Sequence, residues 1–167
     1  SEDGSWSELP TEPTSYDPRV RPWYQGAIAD PEGHWTEAYA MASRQQAGVS
    51  FSQPLYVDGE LIGVFGVDYE AAPLSAFAAE VRPGAGGRVY LVDHHGNVIG
   101  HPDNQVFAEG KVLAAAEHPD PILSAAWASH QALPEHARNE PYTSGEHLVL
   151  SATLDSEGLP WEVLVTL

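Results

Sequence analysis

Two β-rich runs at residues 49–57 and 61–69, separated by Asp58 and Gly59, constrain the fold of this chain more than any other feature. Asp-Gly between two such runs is the strongest short-range signal for a hairpin with a two-residue turn. The second run is almost entirely apolar, which predicts a central strand that is covered on both faces. An antiparallel sheet built around this hairpin is therefore the starting point for the fold.

The other elements of the first half follow from turn residues and periodicity. The proline-rich residues 1–20 predict an extended loop, and Pro22 suits the first position of a helix because its missing N–H is not needed there. Leu74, Phe77 and Ala78 recur at helical spacing and predict a buried helix face. The predicted elements are a helix over 22–29, a turn over 30–33, a strand over 34–41, a turn over 45–48 and a helix over 72–81.

Residues 83–87, with the sequence Pro-Gly-Ala-Gly-Gly, interrupt all regular structure and separate two halves of similar size. The second half begins and ends with hairpins, and Ala-rich segments between them favour helices. The predicted elements are strands over 88–92 and 98–101, helices over 111–117 and 121–130, a loop over 133–144, and strands over 147–154 and 161–166 with a turn at 155–158. The chain is predicted to be α+β with antiparallel sheets.

The charge composition excludes several kinds of partner. The chain has 7 Lys and Arg residues against 24 Asp and Glu residues, which gives a formal net charge of −17. Nucleic acids and anionic membrane surfaces bind basic patches, so neither is expected as a partner. The absence of cysteine excludes disulfides and thiolate metal sites, and no apolar run is long enough to cross a bilayer.

Two of the scarce basic residues, Arg19 and Arg21, lie among aromatic residues and prolines in the segment 16–24. A guanidinium group presents a planar fork of donors to a carboxylate or phosphate and also stacks on aromatic rings. One interpretation is that Arg21, walled by Trp23 and Tyr16, binds a small anion. The alternative is a structural contact between Arg21 and the rings that ties a turn to a helix.

Three histidines, His94, His95 and His101, were considered as metal ligands. His94 and His95 are adjacent and would point to opposite faces of a strand, and the spacing matches no standard zinc pattern. A polar hairpin end explains these histidines more simply. No metal site is predicted.

An enzyme is not predicted either. Asp68, Glu70 and Glu80 are the carboxylates considered for acid–base chemistry, but no nucleophile accompanies them. The chain contains no P-loop and no G-x-G-x-x-G segment, so no nucleotide or other cofactor is expected.

The order of several segments resembles the double Cache (dCache) sensor domains of bacterial receptors. The segments that carry the resemblance are 16–24, 35–39, 49–55, 63–68, 89–93 and 96–103. The resemblance implies two tandem PAS-like modules, each an antiparallel sheet flanked by helices. It places a membrane-distal, ligand-binding module at 1–82, a linker at 83–87 and a membrane-proximal module at 88–167.

The resemblance also implies a function and a location. Such domains lie in the periplasm as the extracytoplasmic part of inner-membrane chemoreceptors, histidine kinases or cyclases, anchored by flanking transmembrane helices. They bind small metabolites such as amino acids. A structural or protein-interaction module without a ligand remains the alternative.

The family pattern assigns residues to the ligand site. In the amino-acid-binding members, residues that correspond to Arg21 and Trp23 hold the ligand carboxylate beside a tyrosine at the place of Tyr16. Residues that correspond to Tyr39 and Asp68 hold the amino group. The resulting site comprises Tyr16, Arg21, Trp23, Tyr24, Tyr39, Met41 and Asp68.

Met41 departs from the family pattern, which has an aspartate at this place. Residues two apart in a strand share a face, so Met41 is still predicted to line the site beside Tyr39. Loss of one charged hydrogen bond, about 1.5–3 kcal/mol, is expected to lower the affinity for an α-amino acid about ten- to a hundredfold. A quaternary amine or a carboxylate without an amino group would suit the thioether and the rings better.

Compared with the family, the chain is expected to lack the long N-terminal helix and the first strand of the distal module. Residues 1–6 would then be the far end of the opening hairpin. An unpaired sheet edge and exposed apolar surface are expected to result, together with association into a homodimer or a similar assembly.

Overall fold

The computed structural model describes residues 16–42, 46–154 and 161–167 of the chain. Over these ranges the protein consists of antiparallel sheets and three α-helices, so the predicted α+β class is confirmed. None of the helices in these ranges is long and apolar enough to cross a bilayer. The expected hairpin end at residues 1–6 and the turn predicted at 155–158 lie outside the described residues.

The first sheet is organised around the predicted hairpin, which is confirmed. Asp58 and Gly59 both have positive φ, 52° and 82°, as a two-residue hairpin turn of this kind requires. The strands of this sheet are β1 (His34–Trp35), β2 (Tyr39–Met41), β3 (Gln46–Val57) and β4 (Glu60–Glu70). One edge of β3 pairs with β4, and the two short strands β1 and β2 pair with the other edge of β3.

The prediction of one continuous strand over 34–41 was wrong, because the segment between β1 and β2 leaves the ladder. Thr36 donates its backbone N–H to the Ser50 carbonyl at 2.9 Å, and its side-chain oxygen accepts the Ser50 N–H at 2.9 Å. The Ala38 N–H, two residues further on, is bonded to the Asp93 side chain in the second half of the chain. The turn predicted over 45–48 was also wrong, since β3 already begins at Gln46.

The prediction that β4 is a central strand was wrong as well. In the described part of the chain β4 pairs with β3 alone, and Ile62 and Phe65 are 59% and 65% exposed. Apolar composition predicted a strand correctly but does not determine its place in the sheet. Among the described residues the hairpin therefore presents an apolar edge without a strand partner.

The first half of the chain contains two helices, of which one packs on the first sheet and the other mainly on the second. Helix α1 (Pro22–Ala29) has the predicted bounds, begins with proline at its first position and packs on β3 and β4. Helix α2 (Ala71–Glu80) follows β4 directly and packs on the second sheet, where Ser75 and Ala78 are buried. Phe77, predicted to lie on the buried face of α2, is 58% exposed. Leu74 and Ala78, predicted for the same face, do pack inward: Leu74 is partly buried against the core and Ala78 is buried.

The second sheet has the order β6-β5-β11-β10-β9 and is antiparallel throughout. Its strands are β5 (Arg88–Asp93), β6 (Val98–Gly100), β9 (Tyr142–Ser144), β10 (His147–Leu154) and β11 (Trp161–Thr166), and a small separate hairpin consists of β7 (Phe107–Ala108) and β8 (Lys111–Val112). Helix α3 (Pro121–Ala132) packs beside this sheet and begins at the predicted proline.

The helix predicted over 111–117 was wrong. This segment contains β8 and then a single 3-10 turn, Ala115–Glu117. The Leu113 N–H donates to the Val106 carbonyl at 3.0 Å, and the Leu113 carbonyl accepts the Val98 N–H at 2.9 Å. Backbone partners from two other segments therefore override the helix propensity of the alanines. The loop predicted over 133–144 is likewise interrupted by the 3-10 turn Glu135–Ala137 and by β9.

Residues 83–87 contain no helix or strand and separate the two sheets along the sequence. The two halves of the chain nevertheless pack against each other. Trp35 of β1 contacts Trp161 of β11 with ring centroids 5.9 Å apart. One buried cluster combines residues of both halves: Ala38, Val49, Leu91, Ile99 and Trp161.

Candidate functional site

A cavity of about 510 Å³ opens between α1, β2 and β4 in the first half of the molecule. Its lining residues are Tyr16, Arg21, Trp23, Tyr39, Met41, Ala42 and Asp68. The structure thus brings together all the residues predicted from sequence except Tyr24, which packs edge-on against Trp23 with ring centroids 5.7 Å apart. We refer to this cavity as the distal pocket.

Arg21 forms the cationic side of the distal pocket. Its Nη2 atom donates to the Ala40 carbonyl at 2.9 Å, and its Cζ atom lies 6.0 Å from the Tyr16 ring and 5.6 Å from the Tyr39 ring. The Nε atom is buried and has no hydrogen-bond partner among the described residues. The guanidinium group is thus fixed in place while part of its donor capacity is unused.

The neighbouring arginine has a different environment. Arg19 donates through Nε and Nη2 to the two carboxylate oxygens of Asp17, each at 2.9 Å, and is mostly exposed. These hydrogen bonds hold the pKa of the Asp17 carboxyl below its usual value. The Asp17 side chain also accepts the Arg19 N–H and so caps the short 3-10 turn Pro18–Val20. This turn directs Arg19 to solvent and leaves Arg21 at the pocket.

A chain of hydrogen bonds leads from Tyr39 to the acidic side of the distal pocket. The Ser50 hydroxyl donates to Asp68 Oδ1 at 2.6 Å, so the Tyr39 hydroxyl, 2.8 Å from Ser50 Oγ, is the donor in that second bond. Burial raises the pKa of the Tyr39 hydroxyl, which keeps it protonated. Within the described residues this single bond from Ser50 is the one that Asp68 accepts.

Met41 lies between these two sides and is buried, with 7% exposure. The ends of its side chain lie over Gly48 on β3, where an added Cβ would come within 2.6 Å of the methionine methyl group. The Tyr69 backbone carbonyl would lie 2.7 Å from the same Cβ, so the backbone of β4, together with Met41, requires glycine at position 48. The thioether gives the pocket an apolar surface where the family pattern has a carboxylate.

Trp23 supplies an aromatic wall of the distal pocket. A Cβ added at Gly66 would lie 3.6 Å from the Trp23 ring, and the Trp23 backbone carbonyl accepts the Ser52 hydroxyl at 2.6 Å. Because α1 begins one residue after Arg21, the first turn of this helix places Trp23 and Arg21 on the same side of the sheet. The pocket therefore combines a cation, a carboxylate and aromatic walls.

Ser50, Ala40 and Ala42 belong to the site but were not predicted. Ala40 contributes only a backbone carbonyl, and Ala42 an apolar surface. A signal for Ser50 was present, because Ser50 pairs directly with Asp68 in the β3–β4 register and therefore shares its face. The register between β3 and β4 is thus sufficient to identify Ser50 as a neighbour of Asp68.

The other candidate residues are dispersed. Glu70 and Glu80 do not line the distal pocket that contains Asp68. His94 and His95 lie in the turn after β5, and His95 Nε2 is 3.2 Å from Glu37 Oε1. Within the described ranges no group of three or more His, Cys, Asp or Glu residues is arranged to hold a metal ion.

His101 belongs to a second polar cluster, which we call the proximal network. Asp120 is its centre, and its Oδ2 atom lies 3.0 Å from the Tyr90 hydroxyl, 3.2 Å from Arg88 Nη1 and 3.2 Å from His101 Nε2. The Asp103 N–H donates to His101 Nδ1, so the proton of the neutral ring is on Nε2 and points to Asp120. Burial, with the neighbouring His118, lowers the pKa of His101.

Comparison with known proteins gives a consistent result. A family model for the Cache domain matches residues 1–167. The methyl-accepting chemotaxis protein PscA from Pseudomonas syringae pv. tomato is 31% identical over 94 residues, which are 56% of this chain and 15% of that protein. The chain therefore spans a small part of this curated relative.

Solved structures share the fold. The ligand-binding domain of the Pseudomonas aeruginosa amino acid chemoreceptor PctC in complex with GABA aligns with a TM-score of 0.65 and 22% identity, over 95% of this chain and 66% of that one. The ligand-binding domain of the Pseudomonas fluorescens chemoreceptor CtaA in complex with L-isoleucine aligns with a TM-score of 0.63 and 23% identity, over 94% and 60%.

Proposed function

Because the chain belongs to the double Cache family of Cache domains, we propose that it is the extracytoplasmic ligand-sensing domain of a bacterial receptor. The proposed ligand is a small metabolite with a carboxylate group, such as an amino acid or a methylated amine-carboxylate. The receptor would be anchored in the inner membrane and would face the periplasm with this domain. The domain would bind and not transform its ligand.

The observation that carries this proposal is the incomplete bonding of two opposite charges around one cavity. Among the described residues the Arg21 guanidinium group donates one hydrogen bond, to the Ala40 carbonyl, and Asp68 accepts one, from Ser50. Both line the same 510 Å³ cavity, a size typical of small-molecule sites. A ligand with a carboxylate at one end and an amine at the other would satisfy both groups.

The geometry suggests a role for each residue. Arg21 would hold the carboxylate, while Trp23 and Tyr16 exclude water from it. Tyr39 and Asp68 would face the amine. The relatives in complex with GABA and L-isoleucine support this class of ligand, since both compounds carry a carboxylate and an amine.

Met41 narrows the class further. A thioether accepts hydrogen bonds weakly, but it packs well against methyl groups. A pocket with a second carboxylate at this position favours an amine that can donate hydrogen bonds. With Met41 in its place, the amine end of the distal pocket is better suited to a methylated amine. Glycine betaine is the simplest compound of this kind.

The chemotaxis relative favours a chemoreceptor over a histidine kinase or a cyclase as the whole protein. Ligand binding would shift the domain between two packings, and the second module would pass this change to the membrane. The division into modules at residues 83–87, and a homodimer of receptors, are parts of the same proposal.

Isothermal calorimetry on wild type and Arg21→Ala tests the proposal. The panel comprises the L-amino acids, GABA, glycine betaine and simple organic acids. We expect wild type to bind at least one compound and Arg21→Ala to lose roughly a hundredfold in affinity, because two charged hydrogen bonds are removed. Arg19→Ala is the matched control, since Arg19 is the neighbouring arginine and faces solvent.

The same variants separate a second candidate, a structural role for Arg21, which its bond to Ala40 and its contacts with two rings favour. In that case Arg21→Ala lowers the melting temperature and no compound raises the melting temperature of wild type. Equal affinities of wild type and Arg21→Ala for the same compound would contradict the assigned site.

A further inference from the structure

Asp93, the last residue of β5, is a fully buried carboxylate that bonds to both halves of the molecule. Its Oδ1 atom accepts the backbone N–H groups of His95 and Asn97 at 2.9 and 2.8 Å. Its Oδ2 atom accepts the Asn97 side-chain amide at 2.9 Å and the Ala38 N–H at 2.8 Å. One oxygen thus shapes the β5–β6 turn, and the other reaches into the first module.

The bond to Ala38 acts where the first sheet is interrupted. Ala38 lies in the break between β1 and β2, and the next residue is Tyr39, which lines the distal pocket. On the other side of the break, Thr36 is bonded to β3 through Ser50. The hydrogen bonds to Ser50 and Asp93 therefore fix the backbone of this short segment. They also determine the position from which the Tyr39 side chain projects.

Tyr39 lacks tight packing on its second side. A further cavity of about 350 Å³ lies at the junction of the two modules, and Tyr39 lines it together with His94 and His95. Tyr39 is therefore a wall between two cavities. Cavities on two sides reduce the packing around Tyr39, so hydrogen bonds gain weight in positioning it.

The polar contact between His95 and Glu37, which lies beside this cavity, is weak. His95 and Glu37 lie 3.2 Å apart, but their side chains are 45% and 59% exposed. Exposed ion pairs contribute little and are screened by salt. The buried bond from Ala38 to Asp93 is the stronger connection.

From this geometry we propose that Asp93 is a positioning residue of the distal pocket, supplied by the second module. Its Oδ2 atom holds the Ala38 N–H and thereby sets Tyr39 for the ligand. This proposal rests on the proposed function of the pocket. Its consequence is reciprocal: a ligand that fixes Tyr39 also favours one position of the β5–β6 turn, so binding couples to the second module.

Asp93→Asn tests the proposal with a minimal change. The amide oxygen can replace Oδ1 and keep the two backbone bonds of the turn, whereas the NH₂ group in place of Oδ2 cannot accept from Ala38. Asn97→Ala is the matched control, because it removes the Asn97 side-chain bond to the same oxygen and leaves the bond from Ala38.

The first readout is amide hydrogen exchange followed by NMR, without ligand. We expect Asp93→Asn to accelerate exchange at residues 38–41 at least tenfold while the His95 and Asn97 amides keep their rates. Asn97→Ala should leave residues 38–41 at the wild-type rate. Unchanged exchange at 38–41 in Asp93→Asn, or equal acceleration in both variants, would overturn the proposal.

The second readout is calorimetric affinity for glycine betaine, GABA and L-isoleucine. We expect Asp93→Asn to bind the compounds accepted by wild type about five- to tenfold more weakly, and Asn97→Ala to bind them as wild type does. If wild type binds no compound of the panel but exchange at 38–41 rises as expected, the proposed function fails and the positioning by Asp93 stands. If wild type binds and Asp93→Asn has the same affinity, the positioning role fails alone.

Discussion

The distal pocket and the proximal network contain the same three residue types in different states of bonding. An arginine, a tyrosine and an aspartate meet in each: Arg21, Tyr39 and Asp68 in the first half, and Arg88, Tyr90 and Asp120 in the second. In the first they surround a cavity, and in the second they bond to one another.

Asp120 shows how complete the proximal network is. Its Oδ2 atom has three side-chain partners, and its Oδ1 atom accepts the Ile122 N–H at 2.8 Å, which caps α3. Burial opposes the charge of this carboxyl, but the bonds from Ile122 and Tyr90, with the charge of Arg88, lower its pKa. Among the described residues Asp120 thus accepts four hydrogen bonds, whereas Asp68 accepts one.

The difference teaches that residue types alone do not identify a site. The proximal network contributes to stability, because every member has its partner within the protein. The distal pocket keeps donors and acceptors in reserve, at a cost in stability that a ligand can recover. Donors and acceptors that lack partners beside a cavity are therefore a better indication of a ligand site than residue types.

The largest effect is expected from a substitution that disrupts the proximal network. Asp120→Ala removes the shared acceptor of three side chains and is expected to lower the free energy of unfolding by about 3 kcal/mol. Asp68→Ala removes the acceptor of one hydroxyl and should lower it by less than about 1 kcal/mol. Urea unfolding of both variants measures the contrast. Similar losses in the two variants would show that both clusters are structural.

A smaller effect sharpens the role of the distal pocket. Met41→Asp supplies the carboxylate of the family pattern, so we expect the affinity for α-amino acids to rise about tenfold. Glycine betaine, which has no N–H, should gain far less. Calorimetry with both ligand types measures the difference, and Met41→Leu is the apolar control. An equal change for both ligand types would mean that position 41 does not face the amine.

The smallest expected effect is a pH dependence of stability that arises in the second half of the chain and not in the distal pocket. His101 has a folded-state pKa below its usual 6.5, so its neutral form stabilises the fold above pH 6.5, and this contribution is lost as the pH falls below that value. His130, whose pKa burial also lowers, acts in the same direction. Asp120 has a pKa lowered from 3.8, so its contribution is lost only in more acidic solution.

Denaturant unfolding at pH 7.5 and 5.5 measures this effect. We expect wild type to lose about 1 kcal/mol at the lower pH, since one proton per molecule corresponds to about 1.4 kcal/mol per pH unit. His101→Gln should lose less, and His136→Gln, at an exposed position, should behave as wild type. The lining of the distal pocket contains no histidine, so affinity should change less than stability. The same pH dependence in His101→Gln and wild type would refute the assignment.

How far the sequence predicts the fold depends on where each signal is located. The Asp58-Gly59 turn and the helix starting at Pro22 are local, so both were predicted with nearly correct bounds. Residues 111–117 adopt a structure that Val98 and Val106 impose from a distance, and no local property of the alanines indicates it. Likewise, composition cannot tell an edge strand from a central one.

The candidate site shows the same limit. Arg21 and Trp23 lie in one short segment, and the family pattern pointed to both. Ser50 and Asp93 stand out less, because a serine in a strand and an aspartate before a turn are common residues with many roles. The register between β3 and β4 places Ser50 beside Asp68, and the contact between the two halves of the chain gives Asp93 its role.

The exposed edge of β4 has a consequence for the behaviour of the protein in concentrated solution. Phe65 and Ile62 project from a strand that pairs on one side only among the described residues, and such edges adhere to one another when copies approach. The net charge of −17 opposes that approach at neutral pH through mutual repulsion. Added salt shortens the range of this repulsion, and acidification toward the isoelectric point of about 4.5 removes it. Salt concentration and pH thus control whether copies of the protein associate through this hairpin. This control does not depend on the stability of the rest of the fold.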